Sequence, residues 1–126
     1  MRRLLDTAAL IYAVAAPQQL SKRAASLLQD LDNVLELSAI SLVNIAIKAN
    51  LGKFKISAEI VSQAIEHLDL CVLPYTAEHA LRLFDLPLHH GDPFDRQIIS
   101  QALVEEVPII TPDQMFRAYR GLKIIW

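Results

Sequence analysis

The chain has 126 residues, with 12 Lys and Arg against 14 Asp and Glu, so its formal charge of −2 provides no global basic field to announce a polyanion partner. Apolar residues make up 53% of it, beside three glycines, six prolines and one cysteine. That balance excludes a disordered, collagen-like or disulfide-stapled chain and predicts a single domain over residues 1–126, with enough apolar side chains for its own core.

"RRLLD" is a short apolar run closed by Asp6, and Thr7 opens an alanine-rich amphipathic segment to about Ala16, stopped by Pro17. The pattern predicts a strand, then a helix. Two arginines ahead of an apolar stretch imitate a secretion signal, but Asp6 interrupts the apolar part at its start. From Gln18 to Asp32, Leu20, Ala24, Leu27, Leu28 and Leu31 recur at helical spacing, and "DN" at 32–33 turns the chain into a strand "VLEL". Ser38 and Ser41 both offer N-caps for a third helix that stops near Gly52, and Ser57 caps a fourth, "AEIVSQAIEHL". "LDLCVLP" reads as a buried strand, in which Cys71 packs as a small hydrophobe in a reducing, cytoplasmic setting.

Thr76 starts a helix to about Asp85, "LPLHHGDP" is loop, and Pro93 suits the first position of a helix "FDRQIISQALVEE". "VPIIT" is strand-like, "PDQMFRAYR" short and helical, and "GLKIIW" a closing strand. No stretch reaches the roughly 18 uninterrupted apolar residues of a membrane span. Strands alternating with helices predict an α/β architecture, a parallel sheet of about five strands covered on both faces, with sites at the carboxyl ends of its strands.

Three separated segments deliver short acids toward that rim: "LLDT" at Asp6, "GDPFDR" at Asp92 and Asp95, and "ITPD" at Asp113. Gathering them would cost several kcal/mol of repulsion unless a cation neutralised them, and Mg²⁺ or Mn²⁺ is the natural one for carboxylate oxygens. Such a site suits phosphodiester hydrolysis. Each acid also has a purely structural reading. Asp92 as N-cap, Pro93 at the first helical position and Asp95 in the first turn are an ordinary capping arrangement. Asp6 at a strand end can simply cap the next helix, and "TPD" at 111–113 is a common turn-and-cap sequence. His89 and His90 are neighbours that point in different directions, which fits a loop better than a zinc site, and His67 and His79 read as partly exposed helix residues.

The chain resembles PIN-domain proteins, specifically VapC-like toxins of bacterial type II toxin–antitoxin modules. The resemblance runs through "LLDTAALIYAV", "SAISLVNIAIKANLGKF", "LPLHHGDPFDRQIISQALVEEVPIITPDQMFRAY" and "LKIIW". It implies a three-layer α/β/α fold and a cytoplasmic ribonuclease using Mg²⁺ or Mn²⁺. It also implies a homodimer inhibited by a cognate antitoxin protein. The family's first acid falls on Asp6, its third on the "DPFDR" aspartates, with Asp95 preferred and Asp92 as the cap fixing the helix start, and its last on Asp113. One departure stands out: where the family has a glutamate in a pattern like S-x-W-E-I-A-I-K, this chain has Asn44. Asn offers a neutral carbonyl oxygen, reaches one methylene less far and cannot act as a base, so metal affinity and turnover should fall. Ala8, where relatives often carry His, is a milder departure.

Among the basic residues, Arg96 beside Asp95 and Lys48 one turn from Asn44 are the candidates for contacting RNA phosphates, although each also reads as a solvated helix charge. Two other classes compete with the nuclease reading. A decayed site would leave a module that binds RNA or an antitoxin, which Asn44 favours. A receiver-like signalling domain would need an acidic pair after the first strand, where only Asp6 stands.

Overall fold

In the computed structural model, which describes residues Met1–Trp126, five strands form one parallel sheet in the order β3-β2-β1-β4-β5. They are β1 (Arg2–Leu5), β2 (Val34–Ser38), β3 (Cys71–Leu73), β4 (Ile109–Ile110) and β5 (Ile124–Ile125). The helices are α1 (Thr7–Ala15), α2 (Lys22–Gln29), α3 (Ala39–Asn50), α4 (Ala58–His67), α5 (Ala77–Leu81) and α6 (Pro93–Glu105), with 3₁₀ turns at Pro17–Gln19, Arg82–Asp85 and Gln114–Ala118.

Alternation along the central strands decides the layers, because successive side chains of a strand leave on opposite faces. Leu5, Leu35, Leu37 and Ile110 join Ala9 and Leu10 of α1, Ala24 of α2, Ile45 of α3 and Ala64 of α4 in one core. Leu4 and Ile109, one residue out of phase, pack with Ile98, Ile99 and Ala102 of α6 and with Phe116 and Tyr119 in the other. The result is the expected α/β/α sandwich. The chain places β2 and β3 on one side of β1, then crosses to place β4 and β5 on the other. Connections therefore diverge at the carboxyl ends of β1 and β4, where an open α/β sheet leaves a crevice.

Local chemistry explains the helix starts. Ser21, Ser38, Ser57, Thr76 and Asp92 each accept a backbone N–H in the first turn of the following helix. Of the two serines offered for α3, Ser38 is the cap. Ser41 is buried inside the helix and accepts a hydrogen bond from the Thr7 hydroxyl at 3.0 Å.

Several expectations need correction. The second helix begins at Lys22 rather than Gln18, because Pro17 starts a separate 3₁₀ turn and Ser21 caps the helix proper. β3 is not buried: it is an edge strand, and Cys71 and Val72 are exposed on it. An apolar run cannot by itself say whether it lies at the centre or the edge of a sheet. His79 is 4% exposed rather than partly exposed. Its Nδ1 accepts the Thr76 N–H in a capping box, and its Nε2 lies 3.2 Å from Glu105. Glu105 also receives the Arg2 guanidinium, which reaches Glu36 at 2.7 Å, so hydrogen bonds and ion pairs lace α5, α6, β1 and β2 together. No helix is long and apolar enough to cross a membrane.

Candidate metal centre

Asp6 follows β1 directly and caps α1. One carboxylate oxygen accepts the Ala9 N–H at 2.7 Å, and the other accepts the Thr111 hydroxyl. Thr111 closes β4, and its Oγ1 also receives the Asp113 N–H at 3.0 Å. One hydroxyl thus ties together the acids that end two adjacent strands. Asp113 caps the Gln114–Ala118 turn through Oδ1, which accepts from Met115, and leaves Oδ2 for His90.

The third acid comes from α6. Asp92 Oδ1 accepts the N–H groups of Phe94 and Asp95, at 2.8 and 3.1 Å, and this cap presents Asp95 in the first turn. Ligand atoms of His90, Asp95 and Asp113 all lie within 4.8 Å of one another. His90 Nε2 is 2.7 Å from Asp113 Oδ2 and 3.4 Å from Asp95 Oδ2. Asp6 and Asp92, both offered from sequence as metal ligands, stand outside this set: Asp6 is tied to Asp113 through Thr111, and Asp92 Oδ1 is held by the helix cap.

Charge shows that the acids feel one another. Burial pushes the Asp6 carboxyl up to about 7; the Thr111 and Ala9 hydrogen bonds oppose that rise, and the charges of Asp95 and Asp113 add to it. Asp95 is raised to about 6, first by burial and then by Asp92 and Asp113, with His90 and Lys48 pulling the other way. Asp6, Asp95 and Asp113, far apart along the chain, therefore share one electrostatic site.

Asn44 is 2% exposed on α3 and donates through Nδ2 to Thr7 Oγ1 at 3.4 Å, while its Oδ1 has no hydrogen-bond partner. A buried carbonyl oxygen without a donor is a costly arrangement. Lys48, one turn on, acts on Asp95 and lies 5.8 Å from the centre of the Phe54 ring. The Arg96 guanidinium donates to the carbonyls of Pro87 at 2.9 Å and Leu86 at 3.3 Å, tethering the loop that leads to His90. The apolar groove of about 450 Å³ between α3 and α4, lined by Leu42, Ile45, Ala46, Ile56, Val61 and Ile65, contains no ionisable side chain and lacks the means for this chemistry.

Thr111 lies in the turn-and-cap sequence "TPD" legible at 111–113, but its bond to Asp6 has no local signal, and His90 had no role assigned from sequence. His90 had a weaker signal, since nothing in "HH" says which ring turns inward. The structure turns His89 edge-on to Tyr119 and His90 toward the acids.

The PIN domain family profile matches residues 3–122. The chain belongs to the PIN-domain family. No curated protein sequence is significantly similar to this PIN domain. Its fold is similar to that of a chain in the VapBC2 complex of Rickettsia felis bound to promoter DNA, with TM-score 0.76 and 19% identity over 99% of this chain and 98% of that one. A chain of DNA-bound VapBC from Salmonella typhimurium superposes with TM-score 0.74 at 16% identity, over 99% and 97% of the two chains. One from VapBC-5 of Mycobacterium tuberculosis does so with 0.63 at 19%, over 98% and 97%. The observed order 3-2-1-4-5 is also not the 2-1-3-4-5 order of receiver domains, which removes the signalling alternative.

Proposed function

We propose that this PIN domain is a metal-dependent endoribonuclease and the toxin of a toxin–antitoxin pair. The observation that carries the reading is the convergence of Asp6, Asp95 and Asp113 at the crevice between β1 and β4, with the Asp6 and Asp95 carboxyls pushed up first by burial and then by neighbouring acids. Buried acids that also feel one another's charge are a site prepared for positive charge.

The residues fit a hard divalent cation. Asp6, Asp95 and Asp113 would hold Mg²⁺ or Mn²⁺, and the unpartnered Asn44 Oδ1 fits the neutral oxygen at the fourth place. When bound, such an ion supplies Lewis-acid activation of the scissile phosphate and of the attacking water. The chain supplies the positioning. Thr111 fixes Asp6 relative to Asp113, the Asp92 cap fixes the start of α6, and Lys48 is the cation best placed to meet an RNA phosphate beside Asp95. Arg96 contributes by holding the 86–87 loop. A cognate antitoxin is the proposed protein partner, by likeness to chains solved as VapBC assemblies.

The purified chain incubated with RNA and Mn²⁺ should cleave it, and a chelator should stop the reaction. Asp6→Asn keeps an oxygen for the Ala9 cap while removing the charge; it and Asp95→Asn should each lower cleavage by about 10²-fold or more, the scale of losing one electrostatic contact to the transition state. Asn44→Glu should raise it. A second reading, a decayed module that binds RNA or antitoxin, rests on the buried neutral Asn44. Cleavage appearing only after Asn44→Glu would select it, and no cleavage by either form would refute the nuclease reading.

A further inference from the structure

His90 is held from several sides at the site. It is 8% exposed, and its own N–H donates to the Tyr119 hydroxyl at 2.8 Å. Its ring meets Phe116 edge-on at 84°, with centroids 5.6 Å apart. The Asp92 N–H donates to its Nδ1 at 3.1 Å, and Nε2 faces two carboxylates that come from different segments.

These contacts assign the ring nitrogens. A ring nitrogen that accepts a backbone N–H carries no proton, so Nδ1 is the acceptor and Nε2 the donor. That N–H is donated to Asp113 Oδ2 at 2.7 Å, and Asp95 Oδ2 lies 3.4 Å from the same nitrogen. A histidine that ligates a metal has the opposite arrangement: a bare nitrogen toward the ion and the other ring N–H donated to an acceptor. To ligate through Nε2 here, the ring would have to become an imidazolate or surrender the Asp92 contact. Proximity to Asp95 and Asp113 alone would make His90 look like a ligand, and the hydrogen-bond pattern argues against it.

We propose that His90 is a positioning residue: the Asp92 amide orients its ring, and its Nε2–H, donated to Asp113 beside Asp95, presets the placement of these two acids for a divalent cation without the ring itself entering the coordination sphere. The inference rests on the metal-site reading above. The ring holds Asp113 in place at the side of Asp95 before a cation arrives. A carboxylate oxygen has a second lone pair, so accepting this N–H leaves Asp113 able to hold an ion. It also gives the Asp92 cap a second function, since one residue's side chain starts α6 while its amide orients the imidazole.

The test is Mn²⁺ binding to the full chain, followed by electron paramagnetic resonance without RNA. His90→Phe keeps a ring against Phe116 and removes the donor; it should weaken Mn²⁺ binding by about 10–100-fold, the usual effect of losing a partner behind a metal ligand. His90→Gln, which restores an N–H donor, should recover part of that loss. Pulsed measurements on the unmodified protein should show no directly bonded imidazole nitrogen on Mn²⁺. A direct nitrogen coupling, or undiminished affinity in His90→Phe, overturns the inference. Should that variant fail to fold, the nitrogen coupling in the unmodified chain and the affinity of His90→Gln still decide. If the unmodified chain binds no Mn²⁺, the metal reading itself falls and this inference with it. Normal binding that is indifferent to residue 90 removes only the latter.

Discussion

Asp6 is subject to two opposing influences. The Ala9 N–H and the Thr111 hydroxyl favour its ionised form, while burial and the charges of Asp95 and Asp113 disfavour it. Burial wins: its carboxyl is pushed from 3.8 up to about 7, and that of Asp95 from 3.8 up to about 6. Both shifts are upward, so between those limits the folded chain binds more protons than the unfolded one. The associated stability is fully present below 3.8 and is lost as pH rises through about 6 and then about 7. The melting temperature of chelator-treated protein should therefore fall on going from about pH 5 to about pH 8, and Asp6→Asn should flatten the slope. Mn²⁺ should reverse the trend, stabilising more at the alkaline end, where binding releases fewer protons. Calorimetry across that range, with and without the ion, checks the sign.

At the scale of elements, the amino end of α6 combines a stability device with a site device. The cap belongs to the Asp92 side-chain oxygen, whereas the upward push on Asp95 from this residue belongs to its charge. The two separate by substitution. Asp92→Ala should cost about 1 kcal/mol in urea unfolding, while Asp92→Asn, which keeps an accepting oxygen, should cost only a small part of that. The asparagine variant should nonetheless lower the Asp95 titration midpoint followed by carboxyl NMR. Capping is also why so many helix starts could be read from the chain. Ser38, Ser57, Thr76 and Asp92 act on N–H groups two or three residues away, so the information is local. The choice between Ser38 and Ser41 was not local, because it depended on Thr7 arriving from α1 to bond Ser41. The burial of β3 was not local either: its place at the edge of the sheet, where Cys71 and Val72 are exposed, follows from the strand order.

Across the whole molecule, the site depends on two cores that clamp one short sheet from both faces. β4 has only two residues, and Ile109 and Ile110 each point into a different core. The carboxyl end of that strand, with Thr111 and Asp113, is thus located by packing more than by strand pairing. Ile99 on α6 is fully buried, and Ile99→Ala should cost about 2–5 kcal/mol of global stability by denaturant titration. It should weaken Mn²⁺ binding only to the extent that the folded population falls. The sequence by itself determined the alternation of strands and helices, the helix caps, the apolar faces and the acidic positions that could reach a strand end. Each of these follows from backbone periodicity and side-chain chemistry within a few residues. Only the tertiary structure decided that β1 and β4 lie side by side, that Thr111 joins Asp6 to Asp113, that His90 rather than His89 turns inward, and that Asn44 keeps a buried oxygen without a donor. Those facts join residues up to 105 positions apart, and the burial that fixes their contacts exists only once both faces of the sheet are covered.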